Sequence, residues 1–424
     1  MPAVLVLIGA PLIVAGLLWA LLDVERFALY ILLAACCYPA TLVQPGGAHV
    51  AAVDVLLLVA LVLWLVNSAV GRAPAAFIKR NRLLFAGMLF AGLQWISLIW
   101  SDNASSTIKF GIQASELCVV FPLIFSSLPT SLDRIEQGMR VLLTACAAFG
   151  LWLIVAFAQN PHAAVVGTYL PGLQKNAAGS FQSVGVLLAY VFLLRSRTNR
   201  AWTISCLVLT LGGLIASGSR GAMLGAVAGL LVVSLLLGRG RLASVAVLMT
   251  LGALYLVIIA PGEAAKTSTT GSYSSAQSRI GIWKDAVHAI EAHPYLGSGG
   301  GTYFDVPTGQ PDPNNTILLT WAEDGIPGLL ALGYLFVTFG RAAATARRMS
   351  DEQTTFLTAA AVGAVVALFV HFEVDVTWAR GASSLAMAMM GLQVAVARCA
   401  TLGRDRNLNA GLDANEFAYV NASV

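Results

Sequence analysis

Residues 217–241 read SGSRGAMLGAVAGLLVVSLLLGRGR, and this stretch decides the fold. Its apolar run, 221–238, is long enough to cross about 30 Å of hydrocarbon as an α-helix, which takes roughly 20 residues. Arg220 precedes the run, and Arg239 and Arg241 follow it. The stretch therefore predicts a transmembrane helix between two short polar connectors.

The same pattern recurs along most of the chain. Hydrophobic residues make up 58% of the 424 residues and charged residues only 11%, whereas soluble domains carry roughly 25% charged residues. The apolar runs do not alternate every second residue, which excludes the strands of a membrane β-barrel. The sequence thus predicts an all-α polytopic membrane protein with about 12–13 transmembrane helices. The expected spans lie near residues 3–22, 27–43, 50–69, 83–100, 110–128, 139–158, 181–195, 201–217, 221–238, 242–260, 315–340, 356–371 and 381–398.

Basic residues indicate the orientation of these spans, because the positive-inside rule places basic connectors in the cytoplasm. Such connectors alternate in register with the spans. Three other segments, 159–180, 261–314 and 372–380, then fall together on the opposite face, and so does Arg220. The basic clusters are Arg72/Lys79/Arg80/Arg82, Arg195/Arg197/Arg200, Arg239/Arg241, Arg341/Arg347/Arg348 and Arg398/Arg404/Arg406.

This orientation divides the chain into four parts. We expect transmembrane helices over 1–260, a long non-cytoplasmic loop with an amphipathic helix over 261–314, and further spans over 315–398. The segment 399–424 is polar, and we expect a disordered cytoplasmic tail. The first apolar run has no basic leader and no small-residue cleavage site, which predicts a retained helix rather than a secretory signal.

Several other classes of site find no support in the sequence. The six cysteines fall within or at the ends of spans and form neither a CxxC motif nor a zinc spacing, so we expect no metal site and no disulfide framework. No Walker or Rossmann motif is present, so we expect no nucleotide and no cofactor. The net charge of +4 comes from the short cytoplasmic connectors and indicates no nucleic-acid partner.

The long polar loop contains a predicted helix over residues 279–291. Ser278 is a suitable N-cap, and Pro294 fixes the end of the helix. We expect this amphipathic helix to lie on the membrane. Its apolar residues, at helical spacing, are Ile280, Trp283, Val287 and Ile290.

Two arginines stand out as candidate site residues. Arg220 sits in a break of small residues at the membrane surface, where a charge is costly unless it is paired or hydrated. It could instead snorkel to the interface. Arg279 could likewise anchor the amphipathic helix with Lys284 at lipid headgroups. However, an arginine at a helix N-terminus has the wrong sign for the helix dipole, so we expect an anion, such as phosphate, beside it.

Downstream of this helix the sequence turns rich in glycine and asparagine. The run 297–301 suits a tight loop better than a phosphate cradle, because it lacks a lysine partner. Asn314 and Asn315 can cap the span that follows. Glu323 and Asp324 lie about two turns into that span, so we expect them to face protein or a water-filled cavity.

Taken together, these motifs resemble the bacterial O-antigen ligase and O-antigen polymerase superfamily. Each motif is loose, but four in order with a long loop are specific, and they cover roughly residues 170–375. They are Ser217-Gly-Ser-Arg220-Gly, Ser278-Arg279-x3-Trp283-x2-Ala286, His293-Pro294-x2-Gly297-x-Gly299, and Asn314-Asn315-x9-Gly325-x2-Gly328 with Glu323 before the glycine.

The resemblance implies a multi-pass glycosyltransferase of the GT-C type in the bacterial inner membrane, with its active site facing the periplasm. Such enzymes transfer a glycan from undecaprenyl diphosphate to a glycan or lipid-linked acceptor, with inversion and without metal. The family's paired arginines, which hold the diphosphate, map onto Arg220 and Arg279 and are the expected catalytic residues. The residues expected to bind substrate are Lys284, His293, Asn314, Asn315 and Glu323.

The sequence departs from the family at Asn314, where ligases carry a histidine thought to act as general base. A neutral amide cannot accept a proton usefully at pH 7, so another group serves or no base is needed. His162, His293 and His371 are the candidates, although His371 could instead be a packing residue. The missing histidine favours a polymerase of O-antigen or exopolysaccharide repeat units over a ligase to lipid A core.

A flippase or transporter of lipid-linked sugars is the alternative from another class. Such a protein should carry charged residues along the midplane of many helices. Here the charges collect at the ends of the spans, which favours an enzyme.

Overall fold

The structure is a computed structural model. It describes residues 21–37, 41–43, 50–70, 81–159, 168–170, 173–195, 199–238, 276–303, 313–349, 351–374 and 381–422.

Helices make up nearly all of the described residues. Two short antiparallel pairs accompany them, β1 (Thr41–Val43) with β2 (Val50–Ala51) and β3 (Thr168–Leu170) with β4 (Leu173–Gln174). The helices are α1 (24–35), α2 (Ala52–Ala69), α3 (Arg82–Ile99), α4 (Ala104–Ser127), α5 (Leu132–Gln159), α6 (Lys175–Arg195), α7 (Arg200–Ser217), α8 (Arg220–Leu237), α9 (Ala276–Ala292), α10 (Thr316–Arg347), α11 (Glu352–Phe372) and α12 (Ala382–Ala422).

Ten of these helices are long and apolar enough to cross a membrane: α2 to α8, α10, α11 and the first part of α12. Each matches an expected span within several residues at either end, which confirms a multi-pass helical membrane protein. The expected spans 3–22 and 242–260 lie almost wholly outside the described residues.

The expected span 27–43 is wrong. The helix α1 ends at Ala35, and Thr41–Val43 forms a strand paired with Val50–Ala51. The helix 24–35 is too short to cross about 30 Å of hydrocarbon. The sequence contains a proline at position 39, and a proline disfavours one continuous helix over 27–43 because it lacks a backbone N–H.

The tail also differs from its expected disorder. The helix α12 continues from its membrane-spanning part through to Ala422. Polar composition argued for disorder, but residues 399–422 contain no proline that would end a helix.

Glycines allow two helices near the centre of the bundle to touch. Gly225 and Gly229 of α8 face α11 so closely that a Cβ on Gly225 would lie 2.2 Å from the Ala367 carbonyl oxygen. A Cβ on Gly229 would lie 2.7 Å from the Gly363 carbonyl oxygen. Small residues at four-residue spacing permit this backbone contact between membrane helices. The four-residue spacing of Gly225 and Gly229 therefore determines which face of α8 packs against α11.

Described residues beside three of the connectors expected in the cytoplasm, Arg195, Gln353 and Arg398, make contacts that join the ends of several spans. Glu136 of α5 accepts hydrogen bonds from Arg195 at the end of α6 and from Gln353 at the start of α11. Arg398 of α12 donates to the carbonyl oxygen of Ser127 at 3.0 Å. These contacts tie together the polar ends of five spans, α4, α5, α6, α11 and α12, and the N-termini of α8 and α10 lie at the opposite end of the bundle.

At that opposite end, the helix α10 is broken. Gly325 has φ 62° and ψ −154°, and Pro327 follows it. A proline has no N–H for the carbonyl four residues earlier, here Glu323. The Glu323 carbonyl instead accepts the N–H of Gly299 at 2.8 Å, and the Ile326 N–H donates to the Tyr295 carbonyl at 3.1 Å. The loop 295–299 therefore supplies the hydrogen bonds that the break removes from the helix.

We predict that Gly325→Ala destabilises the protein by about 1–3 kcal/mol, because a side chain at this positive φ is strained. Its Cβ would also lie 2.2 Å from the Tyr295 carbonyl oxygen. Thermal unfolding of the detergent-purified variant measures the effect. The matched control is Gly333→Ala in the same helix, where nothing lies within 4 Å. That variant should be unchanged or up to about 1 kcal/mol more stable. Equal stability of the two variants would contradict the prediction.

Candidate functional site

The short break between α7 and α8 places Arg220. The helix α7 ends at Gly218, which has φ 64°, and Ser219 caps α8 by accepting the Ala222 N–H at 3.3 Å. Arg220 is the first residue of α8 and its side chain is exposed. The guanidinium thus sits at the positive end of the helix dipole, a position that an anion would stabilise.

Behind Arg220, His371 joins three helices. Its Nδ1 lies 2.8 Å from Ser180 Oγ in α6, and its Nε2 lies 3.4 Å from Ser219 Oγ. The ring is 2% exposed. Gly221 leaves the space for it, since a Cβ there would lie 2.7 Å from His371 Cδ2. With both nitrogens engaged, this geometry favours a packing residue that holds the Ser219 cap.

The N-terminus of α10 meets the same end of α11. Asn315 caps α10 by accepting the Leu318 N–H at 2.8 Å, and its amide donates to the Glu373 carbonyl oxygen at 3.2 Å. Thr316 Oγ1 donates to the Phe372 carbonyl oxygen at 3.3 Å. Both ends of the Asn315 amide are thus used within the protein, and its expected contact with substrate stays a prediction.

Asn314 precedes this cap in the left-handed region, with φ 51°. Asparagine tolerates this conformation better than most residues with a side chain. Its side chain is partly exposed at the junction. The residue at the position of the family's histidine therefore lies at the surface beside the N-terminus of α10.

The loop helix α9 packs on α10 rather than standing apart. Trp283 Nε1 donates to the Pro313 carbonyl oxygen at 2.9 Å, so α9 is tied to the segment just before Asn314. The residues of α9 and α10 that form the contact are buried. They are Ala286 and Ile290 of α9 and Leu319 and Ala322 of α10.

Two details of the expected amphipathic helix are wrong. The helix begins at Ala276, so Ser278 lies inside it and is not its cap. Ile280 and Val287, expected on the apolar face, are 51% and 42% exposed. The sequence contains two overlapping apolar stripes, and the stripe through Ala286 and Ile290 is the one buried against α10.

The other expected site residues lie on α9, just beyond its end, or outside the described residues. Arg279 is the fourth residue of α9, and its side chain lies outside the described part of the structure. Lys284 and His293 are exposed, and His293 lies just beyond the helix end, where its carbonyl accepts the Gly297 N–H. His162 lies outside the described residues.

Glu323 and Asp324 face protein, as expected. Glu323 is 1% exposed and accepts the Tyr303 N–H at 3.2 Å. Asp324 is 5% exposed and accepts from Gln94 Nε2 of α3 at 2.5 Å. These carboxylates hold the loop and α3 against the broken helix. The expected contact of Glu323 with substrate gains no support from this buried position.

The sequence analysis missed Glu373, which ends α11. Neither carboxylate oxygen hydrogen-bonds another side chain of the described residues, although both oxygens are buried. Burial raises the pKa of Glu373 to about 7, and the Ile317 backbone amide offsets only part of this effect. The available signal in the sequence was an acidic residue directly after a span, on the face expected to be non-cytoplasmic.

These residues form one junction, at which the N-termini of α8 and α10 both meet the C-terminal end of α11. Ser219 and Asn315 make the two connections, through His371 and Glu373. Helix N-termini present N–H groups and a positive dipole end, which together bind anions. The arrangement is suited to an anionic substrate group bound beside Arg220.

We predict that His371→Ala lowers the free energy of unfolding by about 1–3 kcal/mol, because the buried Ser180 and Ser219 hydroxyls each lose one hydrogen-bond partner. Thermal unfolding in detergent measures the change. His288→Ala is the control, since His288 is exposed on α9 and should leave stability unchanged. A silent His371→Ala would show that the bridge does not hold the Ser219 cap.

Comparison with known proteins gives one family match. Residues 205–333 match a family model described as O-antigen ligase. A search of curated proteins finds no match. Among the solved chains that match, one has 18% identity and a TM-score of 0.45, and the match covers 75% of this chain and 97% of that chain. Its structure is titled "Structural coordination of polymerization and crosslinking by a peptidoglycan synthase complex". The family match confirms the resemblance to the O-antigen ligase and polymerase superfamily over the segment that contains Arg220, Arg279 and Asn314.

Proposed function

We propose that this protein is an inner-membrane glycosyltransferase that polymerises undecaprenyl-diphosphate-linked repeat units of an O-antigen or exopolysaccharide. The observation that carries the proposal is the position of Arg220. It opens α8 at the junction of two helix N-termini, within the segment that matches the O-antigen ligase model. The acceptor would be a glycan or a second lipid-linked glycan, and the partners include membrane lipid but no nucleic acid.

The chemistry follows from the charge that develops on the leaving group. As the glycosidic bond breaks, the diphosphate gains negative charge. Preorganised donors that face this charge away from bulk water stabilise it more than water would. Arg220 and Arg279 would supply guanidiniums, which bind phosphate oxygens in a two-pronged geometry. The helix N-termini would add N–H groups and dipole.

The orientation supports transfer at the periplasmic face. The basic connectors expected in the cytoplasm meet through Glu136, Arg195 and Gln353 at one end of the bundle. Arg220 and the junction lie at the other end. The positive-inside rule assigns that other end to the periplasm of a cell with an inner membrane, where glycans carried on a flipped lipid are exposed.

Polymerase is preferred to ligase because Asn314 stands where ligases carry histidine. Transfer of glycan to lipid A core is the alternative within the superfamily. A flippase remains the alternative from another class, but the buried carboxylate of Glu323 is bonded to the loop and that of Asp324 to α3, rather than lining a path along the helices. We therefore place the transfer reaction first.

We predict that Arg220→Ala and Arg279→Ala each abolish transfer from lipid-linked repeat units extracted from native membranes, while protein abundance in the membrane stays normal. Lysine at either position should restore little activity, because an ammonium cannot make the two-pronged contact. Polymer length on gels and release of undecaprenyl diphosphate measure the effect.

The matched control for the arginine variants is Arg341→Ala, an exposed arginine on α10 near the opposite end of the bundle. It should retain full transfer. Full activity in Arg279→Ala would remove that residue from the mechanism. If the wild-type protein moves the lipid across vesicle membranes but transfers no glycan, the flippase alternative replaces the enzyme.

A further prediction concerns Asn314, whose side chain would orient the acceptor by hydrogen bonds. Removing it should slow transfer roughly ten- to a hundredfold, equivalent to about 1–3 kcal/mol. Asn314→Gly is the sharpest change, because glycine keeps the positive φ without strain. Asn314→His should keep or raise the rate, since it adds a proton acceptor at the same place. An unchanged rate in Asn314→Gly would reduce this motif to a helix cap.

A further inference from the structure

Glycan transfer requires a group that accepts the proton of the acceptor hydroxyl. The acceptor hydroxyl must lose its proton as its oxygen bonds the anomeric carbon, and a positioned base near its working pH speeds this step. Asn314 cannot serve, because an amide does not accept a proton usefully near neutral pH. His371 has both ring nitrogens on serines, and Glu323 is buried on the loop backbone.

We infer that Glu373 is the proton acceptor for the attacking hydroxyl, an inference that rests on the proposed function. The backbone of Glu373 is held by Asn315, whose side-chain amide donates to the Glu373 carbonyl oxygen. Asn315 directly follows Asn314 in the chain. Val374, the next residue, reaches the start of α8, where a Cβ on Gly221 would lie 3.1 Å from Val374 Cγ2. Glu373 thus sits between the N-termini of α10 and α8.

The carboxylate itself is in an unusual state for a structural residue. Buried carboxylates in folded proteins are normally paired or hydrogen-bonded. Both Glu373 oxygens are buried without a side-chain partner among the described residues. A group held in this way keeps its lone pairs available for a proton, and the acceptor hydroxyl would be its partner.

The charge state agrees with this geometry. Burial raises the pKa of Glu373 from an ordinary 4.5 to about 7, and the Ile317 amide lowers it in part. Among the described residues, no other titratable group contributes to the shift. Those on the described elements around it are His371 on α11, Lys175 at the start of α6, Arg220 at the start of α8, and Glu323 and Asp324 further along α10. Near neutral pH a substantial fraction of Glu373 is ionised and able to accept a proton.

The step balances in atoms and charge. The acceptor oxygen forms a bond to the anomeric carbon of the donor glycan. The bond from that carbon to the diphosphate oxygen breaks, and its electron pair leaves on the diphosphate. The hydroxyl proton passes to Glu373, which returns it to solvent before the next cycle.

The test compares Glu373→Gln with wild type in the same transfer assay, using extracted lipid-linked repeat units as donor. We expect kcat to fall at least about a hundredfold while the KM for donor stays unchanged. In wild type, the rate should rise as pH increases through about 7, because the ionised form accepts the proton. Glu373→Gln should lose this limb, and Glu373→Asp should retain part of the rate with the limb displaced.

The pH dependence of stability shows whether the Glu373→Gln variant folds, because a shifted pKa makes the free energy of unfolding depend on pH. The raised pKa means that the folded wild type loses stability as pH rises from about 4.5 to about 7, since the unfolded chain ionises first. Glu373→Gln lacks this loss and should be at least as stable as wild type at pH 8. Glu352→Gln is the control for activity, because Glu352 is exposed at the other end of α11. It should transfer glycan at the wild-type rate.

Two results would overturn the inference while the proposed function stands. The first is a Glu373→Gln variant that transfers glycan at the wild-type rate. The second is a slowed variant whose residual rate keeps the limb near pH 7, which would place the base elsewhere. A wild-type protein that transfers no glycan would instead overturn the proposed function, and this inference with it.

Discussion

A membrane-embedded helix must satisfy its backbone polar groups within the protein, and α10 shows what this constraint requires where a helix is broken. Pro327 cannot donate to Glu323, and Gly325 turns the chain out of helical geometry. The freed groups are taken up by the loop 295–299, through Gly299 and Tyr295. The position of the loop, and of the helix α9 that leads into it, follows from these backbone bonds.

The same end of the bundle brings together an arginine and two helix N-termini. Arg220 stands at one helix N-terminus, and Asn315 caps a second one close by. Such an arrangement is unfavourable on its own, because cations at helix N-termini oppose the dipole. A bound diphosphate would reverse the sign of that interaction. The proposed binding of a diphosphate therefore accounts for an arginine at a helix N-terminus.

Much of the fold could be predicted, because apolar length and basic connectors are local signals. Ten spans, the break before Arg220 and the buried setting of Glu323 and Asp324 are all visible in the sequence. The junction is not, since Ser180 and His371 are 191 residues apart and no local pattern indicates their contact. The buried face of α9 was misassigned because two apolar stripes compete, and only packing against α10 selects one.

The backbone hydrogen bonds at the broken helix limit how the length of the loop 295–299 can change in evolution. Tyr295 and Gly299 bond opposite sides of the break, so the number of residues between them is fixed by the geometry of α10. An insertion or deletion within this segment would leave at least one backbone group unsatisfied beside the membrane, at a cost of several kcal/mol in order of magnitude. Length changes among related proteins should therefore accumulate elsewhere in the chain, and the segment 295–299 should stay five residues long as those proteins diverge.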